Sequence, residues 1–111
     1  MPNQPLTLAF VGYATAAMSD RATAFEDQVL RILDSHGATV SYRGRRISDQ
    51  DESLPLEIQI LSFPDRKALE GYLADDRRLR LLSEYGDAFT LKHSVEVQTI
   101  EPPSASSPAG D

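Results

Sequence analysis

The chain has no cysteine and no tryptophan, and only two histidines in 111 residues. Without cysteine, structural disulfides, thiolate metal sites and thiol nucleophiles are excluded. His36 and His93 are too few for a histidine-rich metal centre. Positive charge is scarce as well: 11 Lys and Arg stand against 17 Asp and Glu, a net charge of −6. Such a surface repels phosphate backbones, and no basic run is interleaved with aromatics, so no nucleic-acid partner is expected. No apolar run approaches membrane-spanning length, and Met1 to Pro5 lack the charged start and apolar core of a signal peptide. A cytoplasmic location without a membrane partner is the expectation. Phosphate-cradling glycine loops, nucleotide fingerprints and nucleophile elbows are also missing, and no cofactor is expected.

What is present suffices for one core. Hydrophobic residues make up 41% of the chain, too many for a disordered polymer and enough for a single domain over residues 1–100. The remainder, EPPSASSPAGD over 101–111, is rich in proline and serine and reads as a disordered tail.

The organising stretch is Leu56–Leu82. Leu56, Ile58 and Ile60 alternate with Glu57 and Gln59, the period-2 pattern of a half-buried strand. Phe63 and Pro64 stop the ladder, because proline has no N–H to give. Asp65 is placed to cap a helix, with Ala68, Leu69, Tyr72 and Leu73 on its apolar face. Asp75 and Asp76 interrupt that face before Leu79 and Leu82 resume it, so a break and a second short helix ending near Gly86 are expected.

Upstream, Leu6–Ala14 is apolar almost throughout and suits a central strand. Ser19 or Asp20 is a candidate N-cap for a helix whose apolar stripe is Phe25, Val29, Ile32 and Leu33, with Glu26, Asp27, Arg31 and Asp34 outside it. Gly37 suits the left-handed residue that ends the helix, with His36 in the last turn at the negative end of the dipole. Ala38–Arg46 reads as a second strand, the polar segment to Pro55 as a loop, and Leu91–Ile100 as a fourth strand. The resulting order, β-α-β-β-α-β, is that of an α+β, ferredoxin-like unit: a four-stranded antiparallel sheet with helices on one face. Since the first strand is apolar on both sides, the uncovered face calls for a second layer. A second copy of the chain, making a homodimer, supplies it.

The run Gly37…Tyr42-Arg43-Gly44, followed by Phe63-Pro64-Asp65-Arg66 with Ala68, Tyr72 and Asp75, resembles the dimeric α+β barrel superfamily. It is most similar to small bacterial proteins of unknown function within it. The resemblance implies a homodimeric barrel with a small cavity in each half. It also implies a cofactor-independent enzyme acting on a small organic substrate, such as a monooxygenase, isomerase or cyclase. Two other readings are a non-catalytic dimeric module that binds a small ligand and a structural dimer whose cavity is filled with side chains. Where the most similar family often carries an acid before Phe-Pro, this chain has Ser62. The tryptophan that haem-degrading members use is absent.

Candidate site residues lie on the strands. Ser41, Arg43 and Arg45 alternate onto one face of the second strand, and Glu57 and Gln59 onto one face of the third. Side by side in a barrel, Arg43 can grip a carboxylate or enolate bidentately while Ser41 and Gln59 bind the rest of the substrate. The same spacing also allows a cross-strand Arg43–Glu57 pair at a solvated edge. One bulge would send the set to the opposite face. His93, among Leu91, Val95 and Val97, is either a general base or a core-edge histidine donating to a backbone carbonyl. Tyr13, at the end of the first strand, offers its hydroxyl to a ligand carbonyl or to water. Asp49, Asp51 and Glu52 lack the glycine turn and distal glutamate of a calcium loop and read as a solvated loop.

Overall fold

A computed structural model describes residues 4–103. Its elements are β1 (Leu6–Tyr13), α1 (Ser19–Val29), β2 (Thr39–Arg45), β3 (Glu57–Phe63), α2 (Arg66–Leu73), α3 (Asp76–Tyr85) and β4 (Leu91–Val97). Two 3₁₀ segments flank α1, Ala16–Met18 before it and Leu30–His36 after it. All pairings are antiparallel and the strand order is β2-β3-β1-β4. Most of the tail expected from residue 101 onwards lies outside the described residues. β4 stops at Val97, three residues short of its expected end.

Local chemistry accounts for the helix boundaries. The Asp65 carboxylate accepts from the Ala68 N–H at 2.8 Å, and the Asp75 carboxylate accepts from the Arg77 N–H at 2.9 Å. Two caps in one segment make two helices. Gly37, at φ 69°, takes the left-handed conformation that ends the first helical segment. Ser19 is not the cap of α1. It is the first residue of the helix, and its hydroxyl donates back to the Ala16 carbonyl and to Asp49.

The core packs Phe25, Val29, Ile32 and Leu33 against Leu61 and Phe63 of β3 and against Leu69 and Tyr72 of α2. This determines which face of β3 is covered. Glu57 and Gln59 are each 1% exposed, whereas Ile58 is 45% exposed. The alternation of Ile58 and Ile60 with Glu57 and Gln59 leaves both choices open, and the helices cover the Glu57–Gln59–Leu61–Phe63 side. The opposite face carries Val11, Ile58, Ile60, Val95 and Val97 and remains open in the single chain.

A bulge between Val40 and Tyr42 separates the residues expected to share a face of β2. Arg43 and Arg45 pair in register with Gln59 and Glu57 on the helix side. Ser41 lies at the bulge, and its Oγ is 2.7 Å from Ser62 Oγ. The extra residue resets the two-residue alternation of every side chain beyond it.

Candidate functional site

Helical spacing puts a carboxylate on the buried stripe of α1. Glu26 is four residues after Ala22 and three before Val29, and all three are buried. The sequence reading placed Glu26 outside the stripe, although its offsets from Ala22 and Val29 are those of the same helix face. Glu26 borders a cavity of about 110 Å³ between the sheet and the helices. Phe10, Phe25, Gln59 and Tyr72 form further walls, and Leu73, Arg78, Lys92 and Ser94 border the side near solvent.

A hydrogen-bonded chain runs from this wall to the surface. Gln59 Nε2 donates to Glu26 Oε1 at 2.8 Å and to Glu57 Oε1 at 3.0 Å. Arg43 grips Glu57 bidentately, Nε to Oε1 at 2.9 Å and Nη2 to Oε2 at 2.8 Å. Its remaining donors reach Asp27 Oδ1 at 2.7 Å and the Thr23 carbonyl at 3.2 Å. The bidentate grip expected of Arg43 thus exists, but it closes on the protein's own buried carboxylate. A charge as deeply buried as Glu57 needs such a partner.

Among the described residues Glu26 forms no ion pair, although the charges of Arg43 and Lys92 act on it more weakly. Burial raises its pKa from 4.5 to about 7; the Gln59 hydrogen bond opposes that rise, and nearby Glu57 adds to it. It is therefore poised between acid and base near neutrality. Lys92 extends its ammonium over the rings of Phe25 and Phe89, at 5.7 and 5.9 Å from their centroids. Desolvation there lowers its pKa. Burial pushes the Tyr72 hydroxyl up to about 12, so it stays a neutral donor, here to the Val29 carbonyl at 3.4 Å.

No protein-family model and no curated protein sequence matches the chain. Solved structures do resemble it in shape. A dabb family protein from Mesorhizobium loti, described as having a ferredoxin-like fold, is 14% identical with a TM-score of 0.59, over 88% of this chain and all of that one. The fold is ferredoxin-like. A protein of unknown function from Rhodopseudomonas palustris matches at 11% identity and TM-score 0.69, over 90% of this chain and 85% of that one. SnoaB, a cofactor-independent oxygenase from Streptomyces nogalater, matches at 12% identity and TM-score 0.65, over 89% of this chain and 96% of that one.

The ferredoxin-like sheet divides the sequence-predicted residues between its two sides. Gln59 lines the cavity. Arg43 lies on the same side but behind Glu57, one residue removed from the cavity wall. His93 pairs in register with Val11, and Tyr13 with Leu91, on the open face, where Ser41 meets Ser62. Arg43, Gln59 and His93 therefore do not converge. The reason is the two-residue period of a strand: Lys92 and Ser94 face the cavity, so His93 between them faces away. The loop acids hold the loop and tie it to the segment before α1: Asp49 pairs with Arg46 at 2.9 Å, and Glu52 Oε2 accepts from the Ala16 N–H at 2.6 Å.

Proposed function

We propose that the protein is a cofactor-independent enzyme of small-molecule metabolism that uses Glu26 as its acid–base group, in the class of monooxygenases, isomerases and cyclases. The observation that carries this reading is a carboxyl only 5% exposed, bordering a cavity and hydrogen-bonded through its side chain to one neutral amide. These reaction types share a first step that such a group performs. The Glu26 carboxylate takes a proton from a carbon beside a carbonyl, leaving a carboxylic acid and an enolate. The enolate then recovers a proton elsewhere, closes a ring or is oxidised by dioxygen. Gln59 orients the carboxyl, and the apolar walls keep it poorly solvated. SnoaB, of similar fold, is a cofactor-independent oxygenase, which supports the class but not the substrate. The cavity is smaller than the roughly 300–1,000 Å³ of drug-sized sites, so a larger substrate projects past Leu73 and Lys92.

The open sheet face supports a homodimer. Its apolar residues need cover that the chain does not supply, and a second copy brings the same face. On that reading Tyr13, Ser41 and His93 belong to the contact between copies.

Solvent-deuterium exchange at the α-carbon of 2-tetralone, followed by NMR, tests the catalytic reading. Exchange faster than in buffer with the wild type, and slowed by about 10²–10⁴-fold in Glu26→Gln, is the expected result. Equal rates for the two proteins, with 2-tetralone bound, would favour a module that only binds its ligand.

A further inference from the structure

Two cations border one cavity, and Glu26 is the carboxyl that lines it with them. Arg78 and Lys92 both border it; desolvation lowers the Lys92 pKa, the Glu26 charge opposes that, and the Arg78 charge adds to it. Among the described residues neither forms an ion pair. Arg21, Arg43, Arg45, Arg46, Arg66 and Arg77 all do. Two like charges at one cavity repel each other, and Glu26, whose raised pKa leaves it partly protonated near neutrality, offsets that only in part.

Both cations are steered by aromatic faces. The Arg78 guanidinium lies 5.2 Å from the Tyr72 ring centroid and donates to the Leu73 carbonyl at 3.2 Å. Lys92 lies over Phe25 and Phe89. Cation–π contact orients a charge without neutralising it, so donors remain for an incoming anion. Phe10, Phe25 and Leu61 give the same cavity apolar walls, and Glu26 lines it with them.

We infer that the cavity takes a planar, apolar molecule bearing a carboxylate, with the carboxylate held between Arg78 and Lys92 and the ring against Phe10 and Phe25. This deepens the catalytic reading above and rests on it for the role of Glu26, though not for the binding itself. The anion enters past the two cations and its far end is carried toward Glu26. Two positive charges beside the bound molecule also stabilise an enolate formed on it.

Benzoate is the probe, with benzamide as its uncharged counterpart of the same shape. Titration by NMR is expected to show the cavity-lining resonances shifting with both probes and benzoate binding about ten- to a hundredfold more tightly, the scale of a charge-assisted hydrogen bond. Lys92→Met and Arg78→Met should each reduce that preference while leaving benzamide binding in place, which also reports that the variants are folded. Equal affinity for the two probes, a preference unchanged in both variants, or no shift with either at millimolar concentration would overturn the proposal. A Glu26 carboxyl that titrates near 4.5 in a ¹³C experiment would remove the acid–base reading alone and leave the benzoate preference standing.

Discussion

Gln59 and Glu26 are joined by a 2.8 Å hydrogen bond across the space between sheet and helix, from β3 to α1. The same amide nitrogen serves Glu57, so one side chain couples a carboxylate paired with an arginine to one that, among the described residues, forms no ion pair. The contrast between the two acids is the chemical content of this interior, and it has measurable consequences.

Glu26 makes stability fall as pH rises. Its folded-state pKa of about 7 lies above the ordinary 4.5, so between these values the folded protein holds a proton that the unfolded chain has lost. Folding is then favoured at the acid end of this window and weakened through it, by no more than about 3 kcal/mol. Urea denaturation of the wild type should show this decline between about pH 4.5 and about pH 7, and Glu26→Gln should flatten it. A profile that is the same in both proteins would place the Glu26 pKa in the ordinary range.

Arg43 acts on stability more than Arg45 does. Removing Arg43 strands a Glu57 carboxylate that is 1% exposed, and Arg43→Ala should cost about 2–4 kcal/mol. Arg45 meets the exposed Asp20, and Arg45→Ala should cost less than about 1 kcal/mol. Equal denaturation midpoints for the two variants would contradict the strandedness of Glu57.

A homodimer is expected at micromolar concentration. Val95, 60% exposed on the open face, is the most direct place to disturb it. Val95→Glu should give a folded monomer by sedimentation, with a circular dichroism spectrum like that of the wild type. A wild type that sediments as a monomer would leave the open face without its proposed cover.

The C-terminal tail should be dispensable. Residues 101–103 are exposed and form no regular structure, and Ile100 before them is 85% exposed. Truncation after Ile100 should hold the Tm within a few degrees, since little apolar area is lost. A larger fall would mean that the tail docks.

The element order was legible in the residues because its signals are local. Asp65 and Asp75 cap helices, Gly37 supplies a positive φ, Pro64 ends a ladder, and apolar periodicity marks the four strands. Each acts over a few positions, so a one-dimensional reading captures it. Gln59 is likewise singled out by its place on the polar face of β3, and it lines the cavity.

The side of the sheet on which each residue lies was decided only in three dimensions. Alternation in β3 separates Ile58 and Ile60 from Glu57 and Gln59, but it does not say which set the helices cover. The packing of Leu61 and Phe63 against α1 and α2 settled that, and buried the polar set. The bulge at Ser41 has no residue signature of its own, yet it separates Ser41 from Arg43. Likewise Glu26 became a candidate acid–base group only when Gln59, 33 positions away, met it across the core. Capping and periodicity are properties of neighbours along the chain; burial, and the pKa that follows from it, belongs to whatever the fold brings alongside.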